Sequence, residues 1–213
     1  MIHTLHPGSL RGVWARLMCR DTRGAQLVEF AVALPLLVVF VVGIFDFSGA
    51  FTLKQKLTNI TRDAARAAAA DPASDLSSSS TSTPVSVNDA YLVVYNYLFV
   101  NNINTCGMTS GTAPTSTSGL TWTYVGTSNC PPGGLTIIVN RGYYFAAAAA
   151  TQPANVNCQP LPMGGSAQTA VIGTCVGIQQ AYQWRFGRAA SLLGATALLP
   201  PTIAVASVAM NEN

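Results

Sequence analysis

Charged side chains are scarce in this 213-residue chain, where Asp, Glu, Lys and Arg make up only 9% of the residues. That is about a third of the usual share, while hydrophobic residues reach 49%. A domain that binds nucleic acid needs a basic surface to offset phosphate charge. Residues 72–213 contain only Arg141, Arg185 and Arg188 as basic side chains. The composition therefore argues against direct nucleic-acid binding and indicates an exported protein.

Histidine is also nearly absent, and the two that occur, His3 and His6, lie close to the N-terminus. The rest of the chain therefore lacks the histidine that a Ser-His-Asp triad, a Cys-His pair or a His-ligated metal site requires. The acidic residues after Asp71 form no paired carboxylate motif, and the sequence has no phosphate-binding P-loop. We expect no catalytic residue, no metal site and no cofactor, and the chain is predicted not to be an enzyme.

One long stretch of the sequence carries no charge. Residues 30–45, FAVALPLLVVFVVGIF, are 16 uncharged residues, and counting from Ala25 with Glu29 tolerated gives 21. A helix of the longer segment spans about 30 Å, the thickness of the hydrocarbon core of a bilayer. A cleavable secretory signal is the alternative, but its core is usually shorter, and no convincing A-x-A site ends this one. The segment is predicted to cross a lipid bilayer once.

The helical pattern continues beyond the uncharged segment. Apolar residues recur at spacings of three and four from Leu53 to Ala64. One continuous helix is therefore predicted over about residues 26–70, ended by Asp71 and Pro72.

The cysteines are unevenly placed, because Cys106, Cys130, Cys158 and Cys175 follow the apolar segment and Cys19 alone precedes it. Four thiols suit two disulfides in an oxidising compartment. Three connectivities are possible, and local pairing, which closes the shorter loops, is favoured. A zinc site is the alternative, but spacings of 24, 28 and 17 residues contain no C-x-x-C knuckle.

The orientation in the membrane depends on these cysteines. Four arginines precede the apolar segment and four basic residues follow it before residue 70, so the positive-inside rule decides nothing. The cysteines and the weakly charged C-terminal part place the N-terminus in the cytoplasm and the residues after about 50 outside.

The chain is predicted to have four parts. Residues 1–24 form a basic cytoplasmic leader, and residues 25–70 form the transmembrane and extended helix. A Ser/Thr-rich linker follows over residues 71–87. Residues 88–213 form an exported domain.

The exported domain is predicted to be α+β, with a helix packed on a small antiparallel sheet. Asn88 can cap a helix through Asn101. Its apolar face is expected in the core and carries Tyr91, Leu92, Val94, Tyr95, Leu98 and Phe99. Alternating apolar residues predict strands within 120–125, 135–145, 171–186 and 201–210. The segments 146–150 and 190–199 are ambiguous.

The sequence GAQLVEF from Gly24 to Phe30 places a lone carboxylate five positions after a glycine, at the head of the apolar helix. This arrangement resembles the processing site of type IV prepilins, which a membrane-embedded prepilin peptidase cuts after the glycine. The run VEFAVALPLL, followed farther on by RDAARAAA, is similar to the TadE-like family, minor pilins or pseudopilins of tight-adherence pilus systems. The resemblance covers about residues 20–70.

The resemblance implies cleavage between Gly24 and Ala25, with Glu29 as the fifth residue of the mature chain. Glu29 and the adjacent Phe30 are then expected to act in subunit assembly. A carboxylate at bilayer depth costs about 2 kcal/mol or more unless it finds a partner or reaches the headgroups. The new α-amine of a neighbouring subunit would be such a partner. The alternative for Glu29 is an anchor-edge carboxylate that stays hydrated.

We therefore predict a membrane-anchored pilin-like protein that acts in assembling a tight-adherence pilus. The expected partners are the lipid bilayer, a prepilin peptidase and other pilin subunits. The expected location is the bacterial inner membrane, with the C-terminal domain periplasmic or extracellular. The larger TadG-like relatives carry an added metal-binding adhesion domain, and no such insertion fits here. The alternative function is an uncleaved single-pass protein whose exported domain binds another envelope component.

Overall fold

A long helix, α1 (Thr22–Ala70), begins the structure and continues from the apolar segment into the domain that follows. The chain divides into two compact units, Met1–Phe45 and Asp46–Asn213. The computed structural model describes residues 22–78, 82–145, 156–159, 171–185 and 200–211.

The end of α1 agrees with the sequence, and its start lies earlier than expected. The helix ends before Pro72, because proline lacks an amide hydrogen and its ring disfavours helical geometry in the preceding residue. It begins at Thr22 rather than near residue 26. Gly24 is the weak helix former in this stretch, and one glycine costs only about 1 kcal/mol relative to alanine. Pro35 is accommodated inside the helix.

The second helix, α2 (Val85–Val100), starts differently from the prediction. The expectation that Asn88 caps it is wrong, because the amide of Asn88 donates to the carbonyl of Pro84 at 3.0 Å and so already lies inside the helix. The cap comes from a 3-10 helix, Ala73–Ser78. There the carboxylate of Asp75 accepts a hydrogen bond from the amide of Ser86 at 2.9 Å, which satisfies one of the free N–H groups of the first turn.

Five antiparallel strands follow in a meander, so each strand pairs with its sequence neighbours. The α+β class is confirmed, and the four predicted strand segments contain β2 to β5. β1 was not predicted, because its three residues are exposed Ser and Thr without apolar alternation. The segments 146–150 and 190–199 lie outside the described residues. The strands are β1 (Ser116–Ser118), β2 (Thr121–Gly126), β3 (Leu135–Phe145), β4 (Val171–Ala181) and β5 (Thr202–Met210).

One face of this sheet, together with α2 and the second half of α1, forms the main core. Alternate residues of β3 point into it, and Leu135, Ile137 and Val139 are fully buried. The rings of Tyr91 on α2 and Tyr124 on β2 stack with centroids 4.3 Å apart. The residues that α1 contributes to this core are Ala50, Leu57, Ile60, Ala64, Ala65 and Ala68.

The apolar face of α2 is narrower than predicted. Tyr91, Val94 and Leu98 are buried, and Tyr95 is partly buried. Phe99 is 65% exposed, so its assignment to the core is wrong. It follows the buried stripe at 91, 94 and 98 by one position, which turns it about 100° away from the sheet, and its ring packs on Tyr95 instead.

Two disulfides join the cysteines in the local pairing, Cys106 to Cys130 and Cys158 to Cys175. Cys106 belongs to the main core, whereas Cys158 and Cys175 pack with Tyr143 in a separate small cluster. Gly177 makes room for this second bridge, because a Cβ atom there would overlap the carbonyl oxygen of Val156.

We expect the double substitution Cys158→Ala and Cys175→Ala to lower the free energy of unfolding by about 3 kcal/mol, since the bridge restrains the unfolded chain. The measurement is urea unfolding of the full chain in detergent, followed by near-ultraviolet circular dichroism. Cys19→Ala is the matched control and should leave the midpoint unchanged. An unchanged midpoint in the double variant would contradict a stabilising role for the bridge.

A buried arginine connects the sheet to the end of α1. In β3 the pairing with β4 shifts between Asn140 and Tyr143, a β-bulge that contains Arg141. Arg141 is 1% exposed. Its guanidinium donates to the carbonyl oxygens of Ala68 and, at 3.0 Å, of Asp71. These carbonyls belong to the last turn of α1 and to the residue after it. At a helix end such carbonyl groups have no N–H donor within the helix.

Further polar groups complete this site. Arg141 also donates to the hydroxyl of Thr174 on β4 at 2.8 Å, and that hydroxyl donates to the side-chain oxygen of Asn211 at 2.7 Å. Burial lowers the pKa of Arg141, while Asp75 and Asp71 act in the opposite direction. Burial, and next the charge of Asp89, raises the pKa of Asp71. Arg141 therefore acts as the C-terminal cap of α1, a position where a cation also complements the helix dipole.

Arg141→Met should destabilise the domain by about 2–5 kcal/mol, because it leaves buried carbonyl and side-chain oxygens without their donor. Urea unfolding of the full chain in detergent measures this difference. Arg62→Met is the control, since Arg62 is exposed on α1, and it should change stability by less than about 0.5 kcal/mol. Equal stabilities of the two variants would refute the capping role.

Candidate functional site

The first half of α1 presents an apolar surface that the described residues do not cover. Within the described residues, one helix is long and apolar enough to cross a membrane, Gln26–Ala70, and none of its most apolar stretch is buried. Such a surface is unfavourable in water and marks contact with lipid or with other apolar helices. The helix is thus a candidate single-pass anchor. Its exposed side chains include Leu27, Val28, Phe30, Val32, Leu36, Leu37, Phe40, Ile44 and Phe45.

Glu29 is the only charged residue between Gly24 and Phe45. It is exposed, as is Phe30 beside it. Ala25 and Glu29 are four residues apart on a helix and therefore lie on the same face, one turn from each other. The structure thus brings the predicted processing and assembly residues together in the first turns of α1.

Gly24 is exposed and lies within the first turn of α1. Among the described residues, no atom outside its chain neighbours and the adjacent helix backbone lies within 4 Å of a Cβ atom built on it. A peptidase that takes its substrate in an extended form would have to unwind the first turn of α1 around Gly24. Helix ends fray readily, because their first amides lack internal partners.

Sequence reasoning missed an aromatic cluster where α1 enters the second unit. Phe47, Tyr182 and Trp184 form this aromatic cluster, with the ring centroids of Phe47 and Trp184 5.1 Å apart and those of Tyr182 and Trp184 4.9 Å apart. The phenol of Tyr182 donates to the main-chain oxygen of Asp46 at 3.1 Å and to its carboxylate at 3.3 Å. Asp46 is 5% exposed. Two sequence features could have indicated this cluster. One is Asp46, the first acid after the apolar run, and the other is the Tyr-x-Trp pattern that follows β4.

The polar atoms of Tyr182 and Trp184 in this cluster are hydrogen-bonded. Burial, and next the neighbouring Asp46 carboxylate, raises the pKa of Tyr182, so its phenol stays protonated and available as a donor. The indole N–H of Trp184 donates to the carbonyl of Pro200 at 2.7 Å. Gly49 allows the close packing, because a Cβ atom there would lie 3.0 Å from the Tyr182 oxygen.

The outer face of α1 in the second unit is polar and basic. Phe51, Lys54, Thr58 and Arg62 recur at spacings of three and four and line a shallow surface depression. Arg62 and Arg66, one turn apart, are both exposed. In the part of the chain that the structure describes, no group of three or more His, Cys, Asp or Glu residues is arranged to hold a metal ion.

The family comparison covers this helix. Residues 24–66 match the family model described as TadE-like protein. This segment of the chain is therefore similar to the TadE-like family. The TadE-like match suggests a pilus-associated membrane protein, and the family is a structural pilus component rather than an enzyme family. No curated protein and no solved structure matches the chain.

The TadE-like segment takes up about a fifth of the sequence and lies entirely within α1. It begins at Gly24, includes Glu29 and Asp46, and ends before the residues that Arg141 caps. Its second half supplies Leu57 and other core residues. The sheet and both disulfides lie outside the matched residues. The similarity to the TadE-like family therefore concerns α1 alone.

Proposed function

We propose that this chain is a minor pilin or pseudopilin that assembles with other pilin subunits of a tight-adherence pilus after cleavage between Gly24 and Ala25. The observation that carries the proposal is a single carboxylate, Glu29, in residues 24–45 of the TadE-like segment, which are otherwise uncharged, and it lies about one turn after the proposed cleavage site. A prepilin peptidase would make the cut, and cell adhesion would be the function of the assembled pilus.

The energetic case rests on the environment of Glu29. An ionised carboxylate in the hydrocarbon region costs about 2 kcal/mol or more when unpaired. The α-amine released at Ala25 would be a cation at the same depth, and an amine of one subunit can pair with Glu29 of the next. In a medium of low dielectric such a pair is strongly attractive. The pair would therefore fix the axial register of packed helices.

The proposed location of the protein and its orientation in the membrane are supported by one feature of each unit. The helix Gln26–Ala70 is the candidate membrane span, and the bacterial inner membrane is the proposed location. Both disulfides belong to the second unit, and disulfides persist in oxidising compartments. This supports the proposal that the second unit lies on the periplasmic or extracellular side and that the leader of residues 1–24 lies in the cytoplasm.

Co-expression with a prepilin peptidase should shorten the chain to one that begins AQLVEF, and Gly24→Val should block this cleavage. The branched side chain obstructs the close approach of an extended backbone to the protease. Intact mass measurement detects the loss of residues 1–24. Gly43→Val is the matched control, because Gly43 is equally open on the same helix, and it should be processed like the parent. An unprocessed parent chain, beside a control prepilin that is cut, would favour the uncleaved anchor.

Glu29→Gln should be inserted and largely processed, yet lose crosslinking to the major pilin, because cleavage requires access at Gly24 and register requires the charge. Crosslinking in membranes, followed by mass analysis, separates the two steps. Asp63→Asn is the control, since Asp63 is an exposed acid of α1 in the second unit, and it should crosslink like the parent. Parent-like crosslinking and piliation by Glu29→Gln would show that the carboxylate is incidental.

A further inference from the structure

The aromatic cluster lies where the chain leaves its apolar segment. Phe47 is two residues beyond Phe45, the last residue of the uncharged run. Tyr182 and Trp184 reach the same turn of α1 from the residues after β4. Phe47 is 58% exposed, and Tyr182 and Trp184 are partly exposed. The cluster is thus an accessible apolar surface at the first turn of the second unit.

We propose that the aromatic cluster binds phospholipid at the boundary between headgroups and acyl chains, on the side of the membrane that carries the second unit. This inference rests on the proposed membrane crossing of α1. Tyrosine and tryptophan favour this boundary because their rings are apolar and their polar atoms need a partner. Here both polar atoms already have protein partners, Asp46 and Pro200. The rings can therefore leave water without losing a hydrogen bond.

The length of the uncharged segment places the cluster at this depth. Sixteen helical residues, 30–45, span about 24 Å, which is about 6 Å less than the hydrocarbon core. If Glu29 reaches one headgroup layer, the next helical turn, residues 46–49, must supply the missing length. That turn carries Phe47. The apolar rings of the cluster then fill the depth that the uncharged segment does not reach.

Asp46 would oppose such a position if its carboxylate faced lipid, because an unpaired acid in hydrocarbon is costly. The structure instead buries it and gives it the Tyr182 hydroxyl as a donor. The exposed charges near the cluster are basic. Arg185 directly follows Trp184, and Lys54 lies about two turns beyond Phe47; both are exposed. Cations there complement the phosphate groups of the headgroup layer.

The experiment measures tryptophan quenching in the full chain reconstituted into phosphatidylcholine vesicles. The lipids carry bromine either near the top or near the bottom of the acyl chain. Trp14→Phe is present in every sample, so that emission comes from Trp184 and Trp122 and the result does not depend on processing. Trp122 is 1% exposed in the core and serves as the internal reference.

We expect bromine near the top of the acyl chain to quench more strongly than bromine near the bottom, and this quenching to be lost in Trp184→Phe. The remaining Trp122 emission should be unquenched and unshifted, which shows that Trp184→Phe is folded. Phe47→Ser, a second variant, should weaken the quenching by bromine near the top of the acyl chain. Phe99→Ser should not, although Phe99, on α2, is 65% exposed and Phe47 is 58% exposed.

Two other results would overturn the inference and are distinguishable from failure of the proposed function. Absent quenching in a chain that resists alkaline extraction would show an anchored helix whose aromatic cluster stays off the membrane. Equal quenching at both depths would place Trp184 in the hydrocarbon interior. A chain that alkaline treatment removes from the vesicles would instead refute the membrane crossing itself.

Discussion

The hydrogen bonds from Arg141 to the last turn of α1 are the constraint on which the second unit depends. A helix end leaves carbonyl groups without donors, and here one guanidinium from a β-bulge in the middle of the sheet supplies them. The same side chain bonds to Thr174 on β4. The end of α1, β3 and β4 are thus joined to one another by a single buried cation.

α1 meets two different environments along its length, and its sequence changes accordingly. Residues 30–45 are apolar on every face, as expected for a helix surrounded by lipid or by other apolar helices. Beyond Phe51 the buried apolar residues of α1 form one stripe, which includes Leu57, Ile60 and Ala64 and belongs to the main core. One helix is therefore both a candidate membrane segment and a core element.

The sequence predicted the features that depend on local pattern. Period-two alternation located β2 to β5, the uncharged run located α1, and loop length favoured the observed disulfide pairing. It missed features that depend on neighbours distant in the chain. From the sequence, Arg141 would be expected on the exposed face of its strand. In the structure it lies in the β-bulge and is buried. Asn88 was a plausible cap, but Asp75 from the preceding turn performs that role. Gly24 and Glu29 were identified by resemblance, and their proposed functions need a second subunit or a protease to be seen.

The two acids that flank the uncharged segment differ in a way that bears on assembly. Asp46 is buried and accepts hydrogen bonds from Tyr182 within its own chain, so it has little to gain from another molecule. Glu29 is exposed on a helix whose other residues up to Phe45 are uncharged. An unpaired carboxylate is costly in lipid, and under the proposed function Glu29 would receive its partner from another subunit. This difference supports the proposed arrangement of subunits. The acid at the N-terminal end of the apolar segment would pair with a neighbouring subunit, whereas the acid at the other end accepts hydrogen bonds from its own domain.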